Sequence, residues 1–266
     1  MSAPATGLIR VLDGGAALTP RMRRLRFEGE VLAAFPADCE GAHIKLLFPL
    51  QDGESPALPT IGAGGPQWPR DRPRPWSRTY TVAAIDPARR WLDVDFVLHG
   101  DDGPASRWAA RATPGRVLGL IGPGGPPLYR PDAGRFLLIG DPSSLPLLRA
   151  VMRKLPETAA GDVLIELPDL GERQPLPPRP QMRVRWLQRA DLLDAVRALA
   201  PPEGTVSLTL AGESGQVVAI RRYLREHWGL PKAMMYAVPY WKERLDEDGY
   251  HDERHRIMDG FEAEAA

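Results

Sequence analysis

The character of the sequence changes at Pro131-Asp132-Ala133-Gly134, and no other feature constrains the fold as much. Upstream of this break, β-rich segments follow one another with turn residues between them, at 8–13, 22–27, 43–48, 78–85, 91–98 and 116–121. Such a run predicts an antiparallel barrel or sandwich. Downstream, strand patterns at 135–139, 163–167, 183–187 and 206–210 alternate with helical ones at 144–154, 191–199 and 216–227. That alternation requires right-handed crossovers between parallel strands. The expected fold is therefore an all-β antiparallel barrel over residues 1–131, followed by an α/β doubly wound domain over 132–266 with a charged, solvated helical tail from Asp246.

Local patterns sharpen this reading. In 91–98, Leu92, Val94, Phe96 and Leu98 alternate with Trp91, Asp93, Asp95 and Val97, which predicts a half-exposed strand. Between Phe48 and Arg78 the prolines 56, 59, 66, 69, 73 and 75 exclude a central ladder, because proline lacks the N–H, so a long mobile surface loop is expected. A second Pro-rich stretch, 168–180, reads as a loop at one end of the parallel sheet.

A chain of 266 residues can bury two cores. Lys plus Arg balances Asp plus Glu at 34 each, which removes the overall positive field that nucleic-acid binding needs. The clusters Arg21-Met22-Arg23-Arg24 and 70–74 accordingly read as solvated surface. Cys39 is the single cysteine, so no internal disulfide, iron–sulfur cluster or thiolate zinc site can form. Any redox chemistry must use a borrowed organic cofactor. The absence of a leader-like pattern or an 18-residue apolar run predicts a cytoplasmic protein without membrane insertion.

Three motifs carry chemistry. Arg78-Thr79-Tyr80-Thr81 opens a strand, and its period of two puts Arg78 and Tyr80 on one face, a cation beside an aromatic ring. A flavin needs a flat stacking partner and its pyrophosphate a bidentate cation, although a barrel-wall tyrosine beside an exposed arginine satisfies the same pattern. His99-Gly100-Asp101-Asp102-Gly103-Pro104-Ala105-Ser106 ends a strand and starts a helix, where backbone N–H groups and the Ser106 hydroxyl can approach a phosphate, or simply turn a corner. Gly140-Asp141-Pro142-Ser143-Ser144-Leu145-Pro146 and Ala211-Gly212-Glu213 follow strands of the α/β domain, the position at which open parallel sheets bind nucleotides.

Taken in order, these runs, together with Asp95-Phe96-Val97-Leu98-His99-Gly100, Gly119-Leu120-Ile121-Gly122-Pro123-Gly124-Gly125 and Tyr240-Trp241, resemble the siderophore-interacting protein family over nearly the whole chain. The resemblance implies a ferredoxin-reductase-like architecture with FAD on the barrel and NADPH or NADH on the second domain. The implied activity passes electrons through the flavin to a ferric siderophore and releases Fe(II). It further implies that Arg78, Tyr80, Thr81, Val97, His99, Gly100, Pro104, Ala105 and Ser106 bind FAD, and that Gly140, Asp141, Ser143, Pro146, Gly212, Glu213, Tyr240 and Trp241 serve the cofactors. Lys45 and Lys242 would meet an anionic siderophore, and no side chain is needed as a catalytic acid or base. A monomer is expected.

Three positions depart from the family pattern: Ala83 where a basic residue is usual, Pro142 where the family has Glu, and Pro239 where it has Gly. They keep two alternatives open, a flavin reductase with another small-molecule acceptor and a non-redox protein that binds an organic ligand. His251 and His255, at i and i+4 in the charged tail, lack a third metal ligand and read as solvated.

Overall fold

A computed structural model describes residues 4–62, 64–100, 103–189, 192–245 and 247–263. The chain divides into two compact units, Met1–Gly125 and Pro126–Ala266. The division precedes the change of period at Pro131 because the intervening residues already bond to the second unit. Thr209 donates to the Leu128 carbonyl at 2.8 Å, and the Arg130 N–H donates to Ser207 Oγ at 2.9 Å.

The first unit contains β1 (Ala5–Val11), β2 (Ala16–Thr19), β3 (Met22–Glu28), β4 (His43–Phe48), β5 (Thr60–Gly62), β6 (Gly65–Gln67), β7 (Trp76–Ile85), β8 (Leu92–Val97), α1 (Pro104–Arg111) and β9 (Val117–Gly124). Strands run in the order β1-β9-β4-β7-β8-β3, and β3 pairs back to β1, closing a six-stranded antiparallel barrel with β2 attached to β3. Ile44, Leu46, Phe48, Val94, Phe96 and Leu118 fill its interior together with Trp108 and Ala109 of α1. The Pro-rich stretch stays outside the barrel as expected, but it holds the small β5–β6 hairpin, where Pro66 is tolerated in an isolated two-stranded ladder.

Two readings of the barrel are corrected by arginines. β8 is not half-exposed: Asp93 is 2% and Asp95 5% accessible. Their cross-strand partners on β3, Arg26 and Arg24, each bind them through two nitrogens, at 2.8 and 3.0 Å and at 2.6 and 2.9 Å. Arg26 also lies 3.6 Å above the Trp91 ring, so the polar face is roofed by guanidinium stems. Nor is Arg23 merely solvated. It donates to the carbonyls of Ala109, Ala110 and Ala112, at 2.6, 2.9 and 2.9 Å, and closes the C-terminal end of α1.

The second unit contains β10 (Arg135–Gly140), α2 (Leu145–Lys154), β11 (Ala160–Leu167), β12 (Gln181–Gln188), α3 (Leu192–Arg197), β13 (Val206–Glu213), α4 (Ser214–Trp228), β14 (Met235–Trp241) and α5 (Glu247–Ala263). The sheet is parallel throughout, in the order β12-β11-β10-β13-β14. Succession reverses between β10 and β13, which makes their C-terminal ends the switch point of a doubly wound sheet. α3 and α4 share an apolar cluster with Leu137, Ile139, Leu164, Leu208 and Leu210 on one face. Right-handed crossover places α2 on the other. The 168–180 loop crosses from β11 to β12 and is tied to the α2 segment: Arg149 donates to Gln174, and Arg179 to the Arg153 and Leu155 carbonyls at 2.9 Å.

β14 was not anticipated from the sequence. The first residue expected in the helix at 191–199, Asp191, lies outside the described residues, as do Asp246 at the start of the tail and residues 264–266 at its end. The rest of the tail is helical and mostly exposed, as expected, but it is also docked along one side. Tyr250 is 1% accessible and donates to Ser214 Oγ at 2.8 Å, while Arg221 lies 4.0 Å from the Phe261 ring. His251 and His255 sit exposed with ring centroids 4.5 Å apart, and among the described residues no three His, Cys, Asp or Glu side chains could hold a metal ion. No described helix is long and apolar enough to cross a membrane.

Candidate functional site

On the barrel, β4 and β7 pair Ile44 with Tyr80, Leu46 with Arg78 and Phe48 with Trp76, so the three β7 side chains share one face. The Tyr80 ring packs 4.6 Å from Phe96 and 6.4 Å from Phe48, which fixes its plane while part of it stays accessible. Arg78 is 8% accessible, donates to the Ser77 carbonyl at 2.8 Å and holds its guanidinium carbon 5.8 Å from the Trp76 ring. Thr81 is buried and pairs with His43, and Lys45 pairs with Thr79 on the opposite face. Phe48 links this row to α1, since its ring lies 5.7 Å from that of Trp108.

The corner between β8 and α1 completes the barrel site. Val97 ends β8 half-buried, Gly103 is the helix N-cap and offers no side-chain acceptor, and Pro104 takes the first helical position. The N-cap thus gives the first-turn N–H groups of buried Ala105 and Ser106 no side-chain acceptor, and they have none among the described residues. Ser106 differs from expectation. Its hydroxyl accepts from the His99 N–H at 3.1 Å and donates to the Gly100 carbonyl at 2.8 Å, so its proton locks the corner instead of meeting a phosphate. Asp101 and Asp102 lie outside the described residues. Aromatic faces, a nearly buried cation and uncapped main-chain donors form the donor set that FAD requires, and the residues fit the group.

In the second unit, the runs at Gly140, Gly212 and Tyr240 prove to be one device centred on Asp141. Oδ1 accepts from the Ser143 N–H at 2.8 Å and its hydroxyl at 2.5 Å, while Oδ2 accepts from the Glu213 N–H at 2.9 Å and Trp241 Nε1 at 2.8 Å. One carboxyl therefore ties together the ends of β10, β13 and β14. Burial pushes its pKa up, against the hydrogen bonds that hold it down. Both flanking glycines are required: a Cβ on Gly212, whose φ is +144°, would lie 2.4 Å from Asp141 Oδ2, and one on Gly140 would overlap Ser144 Oγ.

This geometry revises several assignments. Asp141 is 4% accessible with both oxygens occupied, so it positions the loops and has no free edge for a nucleotide. Pro146 is buried in the first turn of α2 and shapes that turn. The Glu213 carboxylate caps α4 by accepting from the Gln216 N–H at 3.0 Å. Accessible at this end are Ser143, Tyr240, whose hydroxyl lies 3.4 Å from that of Tyr236, and Trp241, 42% exposed with its indole N–H pinned. Aromatic faces and polar edges at a switch point fit a nicotinamide nucleotide. Lys242 is paired with Glu253 of α5 at 2.5 Å.

Sequence reasoning missed Glu253 because its partner is 11 residues away in another element. It also missed Glu166, half-buried at the end of β11, whose carboxyl is pushed up by burial and then by the charge of Asp141. The signal for Glu166 was available as an acidic residue ending the strand beside β10.

Comparison with known proteins follows the same division. Residues 13–127 match the siderophore-interacting FAD-binding domain and residues 133–244 the siderophore-interacting protein domain. The ferric vibriobactin reductase ViuB of Vibrio cholerae serotype O1 is 38% identical over 251 residues, 91% of this chain and 92% of that protein. The siderophore-interacting protein SipS from Aeromonas hydrophila superposes with a TM-score of 0.82 at 32% identity, covering 96% of this chain and 99% of SipS. The ferredoxin reductase in carbazole 1,9a-dioxygenase shares the fold, with a TM-score of 0.66 at 17% identity over 89% of this chain and 69% of that one. Barrel, switch-point sheet, motif order and these similarities agree: the chain belongs to the siderophore-interacting protein family.

Proposed function

We propose that this protein is an FAD-dependent ferric-siderophore reductase that draws electrons from NADPH or NADH and releases Fe(II) from its chelator. The observation that carries the proposal is the barrel face on which Tyr80 and Arg78 project together, joined through Phe48 and Phe96 to α1, whose N-cap Gly103 offers no side-chain acceptor to its first turn. The flavin, when bound, supplies the conversion between two-electron and one-electron transfer. The chain's residues do the rest. Tyr80, fixed by Phe96 and Phe48, orients a planar ring, and Arg78 with the Ala105 and Ser106 N–H groups binds phosphate charge. Arg23 holds the far end of α1, so its first turn is already placed when the cofactor arrives. Asp141 sets the Ser143 turn and Trp241 for the nucleotide, and Lys45 and Lys242 attract anionic ferric complexes.

The test is to purify the protein, record bound flavin, and add NADPH or NADH without oxygen, with and without ferric catecholate and hydroxamate complexes. Bleaching of the flavin followed by trapping of Fe(II) is the expected result. Flavin that bleaches while no ferric complex is reduced would transfer the assignment to another acceptor.

A further inference from the structure

The β7 face that carries Tyr80 and Arg78 continues to a third side chain to which nothing so far assigns a role. Trp76 stands two residues before Arg78, pairs with buried Phe48 at the end of the β4–β7 ladder, and leaves 44% of its surface exposed. Tryptophan is rarely buried completely, and an indole half in solvent keeps a flat apolar face available for stacking. Here the core position is already filled by Phe48, so the indole is displayed rather than packed. Its ring also lies 5.8 Å from the Arg78 guanidinium carbon, which places it beside the cation proposed to meet the pyrophosphate.

Direction along the strand identifies the occupant. Alternate residues of a strand advance by about 6.6–6.8 Å and face the same way. If Tyr80 meets the isoalloxazine and Arg78 the pyrophosphate, one further step in the same direction leads to the adenosine half of the dinucleotide. We propose that Trp76 is the adenine-stacking residue of this barrel, and that it makes the site select FAD over FMN. The inference rests on the flavin reading of the barrel face. It adds a contact to the part of the cofactor that does no redox chemistry, so its readout is binding.

The experiment titrates FAD, FMN and riboflavin into the full-length apoprotein, followed by flavin anisotropy and tryptophan quenching, for wild type, Trp76→Ala and Trp76→Phe. Loss of one base–aromatic stack predicts roughly 5- to 150-fold weaker FAD binding for Trp76→Ala. FMN and riboflavin affinities should be unchanged, and Trp76→Phe should recover part of the FAD loss. Parallel losses for FAD and FMN would show that Trp76 shapes the strand, and unchanged FAD affinity would show that adenine lies elsewhere; either result overturns this inference and leaves the flavin reading standing. Wild-type protein that binds none of the three would overturn the flavin reading itself, and this inference with it.

Discussion

Replacement of Asp141 tests the second unit most sharply, because asparagine and alanine fail there for different reasons. Asparagine has one acceptor oxygen and one NH2 group. With oxygen toward Ser143, the NH2 would face the N–H donors of Glu213 and Trp241, two clashes that nothing can relieve. With oxygen toward Glu213 and Trp241, the NH2 faces Ser143, whose hydroxyl can rotate to accept, and only the Ser143 N–H is orphaned. One orphaned buried donor costs about 1–3 kcal/mol, partly offset because asparagine removes a charge that burial disfavours. Asp141→Ala leaves the donors of all three strand ends without an acceptor, and a loss of about 3–5 kcal/mol is expected, comparable to breaking a buried charged network. Urea unfolding of both variants, with the Trp241 signal isolated by subtraction of Trp241→Phe, measures the difference. A cost under about 1 kcal/mol for alanine, below the usual cost of one orphaned buried donor, would refute the role of this carboxyl as the junction of the three strand ends. So would an asparagine variant weaker than the alanine one.

In the barrel, Arg24→Met removes the two-point cationic partner of the buried Asp95 carboxylate and should destabilise by about 3–5 kcal/mol, whereas Arg24→Met with Asp95→Leu should recover most of that loss in chemical denaturation. Tyr236 and Tyr250 both have phenol pKa values raised above 10.0, chiefly by burial. Their contribution to stability is complete below pH 10 and is lost as pH rises through the folded-state values, so unfolding free energy should fall at alkaline pH, and less steeply in Tyr236→Phe and Tyr250→Phe. Lys242 is neutralised in part by Glu253, so Glu253→Gln should lower KM for anionic ferric complexes and leave neutral hydroxamates unchanged, while Lys45→Ala with Lys242→Ala should do the reverse. Steady-state assays at two ionic strengths would expose equal effects on both substrate classes, which would make the lysines structural.

What was legible in the sequence was periodic or local. The strand at 43–48 and the alternation of strands and helices after Arg135 follow from hydrophobic patterning, which reports the face a residue presents. The half-exposed reading of β8 failed because patterning cannot report what covers a polar face: the roof over Asp93 and Asp95 comes from β3, 67 and 71 residues earlier in the chain. β14 escaped notice because Pro239 breaks the strand pattern, and the structure tolerates it on an edge strand. At the site, Arg78 and Tyr80 were legible as a pair because a strand has a period of two. The Asp141 junction was not, since its partners Glu213 and Trp241 lie 72 and 100 residues away.

The departures from the family pattern are each decided by what their neighbours require. Pro142 occupies the first position of a short 3-10 turn, where an N–H has no partner to lose, and Ser143 supplies both donors that Asp141 Oδ1 accepts. Pro239 pairs with Gly212 at the sheet edge, and Trp241 two residues later still reaches Asp141. Ala83 is 1% accessible at an irregularity of the β7–β8 ladder, so a long basic side chain there would need a different local packing. Each substitution is absorbed where it stands. Of the three, Ala83 alone removes a charge from the barrel unit that binds flavin in the proposed function. Any weakening of redox function should therefore show as looser phosphate or substrate binding, rather than as disorder of the switch-point loops.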